Sequence, residues 1–252
     1  MKSALRERAE QYAQRGQVKQ AIRLLKRAMQ SGRASAEDYL RLAELYSQER
    51  EWRQAVWALR HARSLAPNSE QIREQLVEAL LNADQYEEAI RECQNWLQEA
   101  PDHPIPLENL LDAYMSQNDF AHALTIANQL VQLQPLSPHY RMRRARLLDR
   151  MGRYMEAIED YQWLVFDNDS TPFEVLLFAQ LELERLDFRQ MELLLHLVLD
   201  DSEFRVRFLQ EPVEAARERG FRFSPVGETM ITQLPDAIRD TFPKKRRYAP
   251  YC

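Results

Sequence analysis

The chain has 252 residues, of which 45% are hydrophobic and 29% are charged, and this balance excludes a wholly disordered protein. Only five glycines occur, whereas alanine, leucine, glutamine, glutamate and arginine are abundant, so the composition favours an all-α fold over a sheet protein. The net charge of −5 gives no indication of nucleic-acid binding.

The N-terminal segment predicts neither secretion nor membrane insertion. Residues 1–8 are too charged to contain the apolar core of a signal peptide. No apolar run in the chain approaches the roughly 20 residues that a helix needs to cross a bilayer. We therefore expect a cytoplasmic protein that does not bind membranes.

A pattern of residues recurs every 34 positions along the chain, and no insertion interrupts it. An aromatic or β-branched residue precedes an alanine by three positions in five successive units, as Val18/Ala21, Trp52/Ala55, Tyr86/Ala89, Phe120/Ala123 and Tyr154/Ala157. Within each unit the apolar residues lie three or four positions apart, which predicts two amphipathic helices. The alanine would allow the two helices to cross closely.

Turn residues separate the helices at the same period. The position between the two helices of each unit is occupied by Gly16, Arg50, Asp84, Asn118 and Gly152. Most of these residue types suit a left-handed backbone at the end of the first helix. Pro67, Pro101 and Pro135 fall at the end of the second helix, where proline ends one helix and starts the next.

The register divides the chain into three regions. Five clear helix pairs are expected at 2–35, 36–69, 70–103, 104–137 and 138–171. A degenerate sixth repeat is expected at 172–203, because Met191 replaces the small residue and leucines crowd the second helix. We expect capping helices at 204–241 and a basic, mobile tail at 242–252.

The repeat has a family resemblance. The 34-residue step, with leucine or alanine and tyrosine in the first helix, then Gly-x-Tyr-x-x-Ala and a closing proline, resembles the tetratricopeptide repeat over residues 2–203. The resemblance implies a right-handed α-α superhelix, a solenoid with a concave groove lined by the first helices. It also implies a protein-binding module, either an adaptor or a scaffold.

The groove implied by the resemblance has a charge pattern. Its ninth first-helix position is acidic four times and then basic, as Glu10, Glu44, Glu78, Asp112 and Arg146. Residues 70–137 contain twelve acidic residues against two arginines, whereas residues 138–153 contain six arginines against one aspartate. The groove is therefore predicted to bind a basic peptide or protein segment in repeats one to four and an acidic portion at repeat five. Ordinary solvated helix faces are the alternative.

Other candidate groove residues are apolar or amide side chains that would give specificity, namely Leu81, Asn109 and Met115. The remaining candidates are the arginines of repeat five that would bind the acidic portion, Arg141, Arg143, Arg144 and Arg150. Tyr114 lies near them in the sequence and is expected to be a core residue.

No constellation for catalysis is visible. The five histidines occupy unrelated positions, and no glycine-rich phosphate loop, nucleophile elbow or Cys-x-x-Cys motif occurs. We therefore predict no catalytic residue, no metal and no cofactor, and hence no enzyme. Cys93 is expected to be a small core residue.

The C-terminal region keeps two other functions open. Residues 204–252 could serve an assembly or scaffold subunit. Residues 220–224 read Gly-Phe-Arg-Phe-Ser and resemble the ending of Nif11-type leader domains, which implies an accessory or precursor of a peptide-modifying system. The basic tail, which ends at Cys252, is a candidate for self-association through the acidic groove of a second copy.

Overall fold

The fold is helical throughout the part of the chain that can be described. The computed structural model describes residues 2–30, 32, 34–168 and 170–239. In these ranges helices are the only regular secondary structure, so the predicted all-α class is confirmed. The chain divides into two compact units, Met1–Leu133 and Gln134–Cys252. The predicted tail at 242–252 and residues 240–241 of the predicted cap lie outside the described residues.

The first unit consists of four helix pairs, one for each of the first four predicted repeats. The helices are α1 (Lys2–Gln14), α2 (Val18–Gln30), α3 (Ala36–Gln48), α4 (Trp52–Leu65), α5 (Glu70–Asn82), α6 (Tyr86–Glu99), α7 (Pro104–Ser116) and α8 (Phe120–Leu133). Each first helix packs against the second helix of its own pair.

The second unit contains the fifth pair and the C-terminal region. Its helices are α9 (Pro138–Arg150), α10 (Tyr154–Phe166), α11 (Phe173–Asp200), α12 (Ser202–Gln210), α13 (Pro212–Glu218) and α14 (Pro225–Arg239).

The turns within the pairs have the predicted left-handed backbone. The φ angles are positive at all five turn positions, with values of 73°, 58°, 59°, 57° and 76° for Gly16, Arg50, Asp84, Asn118 and Gly152. In the second repeat the Arg50 amide donates to the Ser47 carbonyl at 3.0 Å, and the Glu51 amide donates to the Tyr46 carbonyl at 2.8 Å. This Schellman pattern satisfies the last carbonyl groups of the first helix.

The alanine positions are at the helix crossings. Ala21, Ala55, Ala89, Ala123 and Ala157 all have no exposed surface, which confirms the predicted close packing. Because an alanine side chain ends at its β-carbon, the second helix can approach the first without leaving a cavity.

The region predicted as a degenerate sixth pair forms one continuous helix instead. Helix α11 has 28 residues and no internal turn. Leu186 lies where the other repeats have their turn residue, and it is fully buried in the helix. A leucine has a high cost in the left-handed conformation and gains by burial, so the helix continues through this position.

The C-terminal segment folds back onto the helices of the second unit. Helices α12 to α14 form a core with the second half of α11 that includes Leu194, Phe204, Phe208, Ala216 and Ile231. The returning chain also reaches α10, because the Gln162 side-chain amide donates to the Phe223 carbonyl at 3.1 Å. The C-terminal segment therefore contacts both α10 and α11. In the first unit α6 has the equivalent contacts, with α5 of its own pair and with α4 of the preceding pair.

A buried polar group fixes this return. Asp187 on α11 is 3% exposed and accepts hydrogen bonds from the Ser224 amide, at 2.9 Å, and from the Ser224 hydroxyl. Burial raises the pKa of Asp187, and the hydrogen bonds from Ser224 and Gly227 partly oppose that rise. Gln190 bonds both the amide and the carbonyl of Arg222. The stretch at 220–224 is therefore held within the fold, with Phe223 and Ser224 buried.

Candidate functional site

Two of the four predicted groove carboxylates share one arginine. Arg41 on α3 donates to both oxygens of Glu10 on α1, at 2.9 and 2.7 Å, and to Glu44 one turn along α3, at 2.7 Å. Burial alone would lower the pKa of Arg41, but the hydrogen bonds with Glu44 and Glu10 outweigh it and raise that pKa. The first helices of repeats one and two are therefore linked by an ion-pair bridge that reduces their negative charge.

A second ion pair lies beside this bridge. Arg6 on α1 pairs with Asp38 on α3, which is 5% exposed. Asp38 also accepts from the Ser35 amide at 2.9 Å, and its own amide donates to the Ser35 hydroxyl at 3.2 Å, which makes a capping box. A cleft of about 360 Å³ between α1 and α3 is lined by both ion pairs.

The first helices of repeats three and four present a different surface. Glu78 on α5 and Asp112 on α7 have exposed side chains, whereas Leu81, Asn109 and Met115 on the same two helices are half-buried. Helices α5 and α7 pack against each other. We call these five residues the α5/α7 surface. Tyr114 is also half-buried and packs against the core cluster, and its ring stacks on His122 at 5.1 Å.

Two arginines of repeat five bind a buried carboxylate of their own repeat. Arg144 donates to both oxygens of Asp160 on α10, at 2.7 and 2.6 Å, and Arg141 donates to one of them at 3.3 Å. Asp160 is 1% exposed. The hydrogen bond to Asp160 raises the pKa of Arg144. The Arg141 guanidinium also lies 4.1 Å from the Trp163 ring centre.

The other arginines of the predicted site have different surroundings. Arg146 is exposed, and its guanidinium lies 4.7 Å from the Phe178 ring centre on α11. Arg150 is exposed and Arg143 is half-buried. Arg141 and Arg144 thus hold α9 against α10, whereas Arg146 and Arg150 are exposed.

Sequence reasoning missed Asp160 and Arg41. Asp160 occupies a column that contains Leu24, Ala58, Glu92 and Ile126 in the other repeats. An acid in a mostly apolar column, 16 and 19 residues after two arginines, was the available signal. The Arg41 bridge had a weaker signal, because a basic residue three positions before Glu44 predicts a pair along α3 but not one with α1.

Cys93 has the predicted core position. Its side chain is fully buried, and burial followed by the nearby Glu92 raises the pKa of its thiol to about 12. Within the described ranges, no group of three His, Cys, Asp or Glu side chains is arranged to hold a metal ion. None of the described helices is long and apolar enough to cross a membrane.

Two protein-family models match the repeated part of the chain. The model described as anaphase-promoting complex, cyclosome, subunit 3 matches residues 14–95, and a tetratricopeptide repeat model matches residues 80–147. Together they span more than half of the sequence. The chain is a tetratricopeptide repeat protein.

Solved structures of MamA have a similar fold. MamA from Desulfovibrio magneticus RS-1 is 19% identical, with a TM-score of 0.55 over 64% of this chain and 90% of that one. A MamA RS-1 double mutant is 17% identical, with a TM-score of 0.56 over 72% and 95% of the two chains. For MamA AMB-1 the identity is 18%, the TM-score 0.52 and the coverage 70% and 96%. At these identities the likeness concerns the fold alone.

The tetratricopeptide architecture defines the general class of function. Tetratricopeptide repeats are typically protein–protein interaction or scaffold modules, and stacked helix pairs create extended binding surfaces. No protein with a curated description matches this sequence significantly.

Proposed function

We propose that this tetratricopeptide protein binds a basic, partly apolar segment of another protein on the α5/α7 surface. The observation that supports the proposal is the combination of exposed carboxylates and half-buried apolar side chains on two adjacent first helices. Glu78 and Asp112 would attract basic side chains, and Leu81 and Met115 would contact apolar ones. The Asn109 amide can donate to and accept from a peptide backbone.

The ion pairs restrict where the acidic part of the site would be. Arg41 binds Glu10 and Glu44, so a basic segment would have to compete with a preformed bidentate arginine in repeats one and two. We therefore place the acidic contacts in repeats three and four, where the Glu78 and Asp112 side chains are exposed, whereas Glu10 and Glu44 are half-buried. At repeat five, Arg143, Arg146 and Arg150 would contact an acidic portion of a partner.

The two kinds of contact would contribute differently. Exposed charges mainly raise the association rate, and salt screens them over about 8 Å at physiological ionic strength. Apolar side chains that become fully desolvated contribute most of the affinity. Replacement of Met115 should therefore speed dissociation, whereas replacement of Glu78 should slow association and reduce its salt dependence.

A capture experiment tests the proposal. The full chain and a Glu78→Lys/Asp112→Lys variant are used as baits in the cytoplasmic fraction of the native cell, since the sequence predicts a cytoplasmic protein. Glu87→Lys/Asp102→Lys is the matched control, because it makes the same change in net charge at exposed positions outside the first helices. We expect the first variant alone to lose a specific partner, with affinity reduced about tenfold or more at low salt.

Either of two results would contradict the proposal. Equal capture by both charge variants would show that the α5/α7 surface is not the binding site. A partner that is lost equally from both variants would indicate a general charge effect. Circular dichroism of each variant ensures that the comparison is made between folded proteins.

A further inference from the structure

One face of α11 carries four large apolar side chains that no described part of the chain covers. The exposed fractions are 76% for Phe173, 46% for Leu177, 56% for Leu181 and 61% for Phe188. At 100° per residue all four point into one sector about 80° wide, and we call this row the α11 stripe. Leu199 is 55% exposed and points into the same sector about three turns beyond Phe188, outside the row. Single exposed apolar residues are common on proteins, but four on one helix face, interrupted by Glu184, indicate an interaction surface.

The stripe exists because the second unit ends differently from a stacked repeat. The core-facing side of α11, with Ala179, Leu183 and Leu186, packs against the preceding helix pair. Asp187 and Gln190 bind the returning C-terminal segment. The stripe lies on neither of these two sides of α11. The last helices of a repeat array normally have a polar outer face, so an apolar row there is unusual.

We propose that the α11 stripe is the interface of a symmetric dimer, in which α11 packs antiparallel against α11 of a second copy. The spacing of the stripe suits a two-fold axis, because Phe173 and Phe188 are equally distant from a point between Gln180 and Leu181. An axis at that point brings Phe173 beside the partner's Phe188. It also brings Leu181 beside the partner's Leu181, so the same row supplies both sides of the contact.

The charges beside the stripe favour the antiparallel arrangement. Glu184 lies within the stripe and is exposed. About the proposed two-fold axis each Glu184 lies opposite the partner's Leu177, so the two copies of Glu184 are separated by seven residues, roughly 10 Å along the helix. A parallel arrangement would place these carboxylates side by side. The antiparallel arrangement also places Glu174 within two residues of the partner's Arg185. In each copy Arg185 pairs with Asp149 and Glu182, and its guanidinium stays partly exposed.

The apolar area indicates how strong the dimer should be. In the proposed dimer the two phenylalanines and two leucines of the stripe would bury roughly 400 Å² per copy, or roughly 800 Å² in total. Flanking polar side chains increase this toward the about 1,200 Å² at which specific interfaces begin. We therefore expect a dimer that dissociates in the micromolar range.

Sedimentation velocity of the full chain between about 1 and 200 µM tests the proposal directly. Leu181→Glu should raise the dissociation constant at least about tenfold, because two carboxylates would be introduced side by side into the dimer contact. Leu193→Glu is the matched control, since Leu193 is 56% exposed on the same helix but points away from the stripe. A wild type that stays monomeric throughout, or equal effects of both changes, would overturn the proposal.

Cross-linking tests the position of the axis. Leu181→Cys in a Cys252→Ser background should give a covalent dimer on mild oxidation by oxygen with a copper catalyst, whereas Leu193→Cys should not. Cys93 is buried and does not compete for the reaction. A dimer that forms as readily through residue 193 as through residue 181 would exclude the α11 stripe as the dimer interface.

Discussion

The first turn of α14 packs on Asp187 so closely that a β-carbon at Gly227 would lie 2.6 Å from the Asp187 Cγ atom. The Gly227 amide donates to the Ser224 hydroxyl at 3.2 Å, and that hydroxyl donates to the same carboxylate. Asp187 is held from two directions and cannot move aside freely. Glycine is therefore required at residue 227 by a close approach, although its φ angle is not positive.

The Gly227→Ala substitution should destabilise the protein. In an exposed helix this change ordinarily stabilises by about 0.5–1 kcal/mol, because alanine has less backbone freedom in the unfolded chain. Here the clash with Asp187 should reverse the sign and lower the free energy of unfolding by about 2 kcal/mol. Urea denaturation followed by circular dichroism measures the difference.

A second substitution isolates the cause. In an Asp187→Ala background the obstructing carboxylate is gone, so Gly227→Ala should become neutral or slightly stabilising. The two changes are then strongly non-additive, as expected for residues in contact. An equal cost of Gly227→Ala in both backgrounds would mean that Asp187 is not the obstacle.

The carboxylate of Asp160 should be more important for stability than either arginine that binds it. Asp160→Ala leaves two guanidinium groups without their buried partner and should cost about 3 kcal/mol. Arg144→Ala should cost less than this but more than Arg141→Ala, because Arg144 makes the bidentate contact and Arg141 a single bond at 3.3 Å. Thermal unfolding of the three variants gives the order.

This order has a consequence for binding studies. A change at Arg141 or Arg144 would disturb the packing of α9 on α10, so loss of binding there would not identify a contact residue. Arg146→Ala is the appropriate substitution for that purpose. If Arg144→Ala were as stable as wild type, the ion pair with Asp160 would be dispensable and Arg144 would return to the list of binding candidates.

The turn positions predict opposite effects of glycine at equivalent sites. Arg50 has a φ of 58°, which strains a residue that carries a β-carbon. Arg50→Gly should therefore stabilise the protein by about 0.5–1 kcal/mol, and Asn118→Gly by less, since asparagine tolerates this conformation. Leu186→Gly, at the corresponding position of α11, should destabilise by about 4 kcal/mol through the loss of a buried side chain in a helix.

Denaturation in urea tests both signs, with Gln94→Gly as a control in the exposed middle of α6. The control should lose about 1 kcal/mol, which excludes a general benefit of glycine. A stabilising effect of Leu186→Gly would contradict the view that this leucine is the reason why α11 continues.

Much of the fold could be predicted from the sequence because its determinants are local and repeated. The alanine at each crossing and the turn residue before it recur every 34 residues, so each unit supports the interpretation of the others. The same columns contain the signal for the continuous α11, since Leu186 and Met191 are unsuited to a turn and a close crossing. The return of the C-terminal segment had no such signal, because the contact of Ser224 with Asp187 joins residues 37 positions apart.

The candidate site was less accessible to sequence reasoning for a related reason. Periodicity places Glu10, Glu44 and Glu78 in equivalent positions, but it does not reveal which of them has a partner. Arg41 reaches Glu10 only because α1 and α3 lie side by side in the folded chain. Charge counted along a sequence therefore overestimates the charge that a surface presents, wherever adjacent repeats supply opposite signs.

The Asp38 capping box should make stability depend on acid pH. Burial alone would raise the pKa of Asp38, but hydrogen bonds from Ser35 and the pairing with Arg6 hold it below its ordinary value of 3.8. The unfolded chain therefore binds this proton more readily than the folded one. The resulting stability is fully present above the unfolded value and is lost as the pH falls through the lower folded value.

Asp38→Asn should consequently cost about 1 kcal/mol at about pH 7 and much less at about pH 2.5, where the wild-type carboxyl group is increasingly protonated. Glu37→Gln is the control, because Glu37 is exposed in the same first turn of α3 and lacks the bonds to Ser35 and Arg6. Urea denaturation across this pH range separates the two variants. A cost of Asp38→Asn that does not change with pH would assign its effect to the shape of the cap and not to the ionised carboxylate.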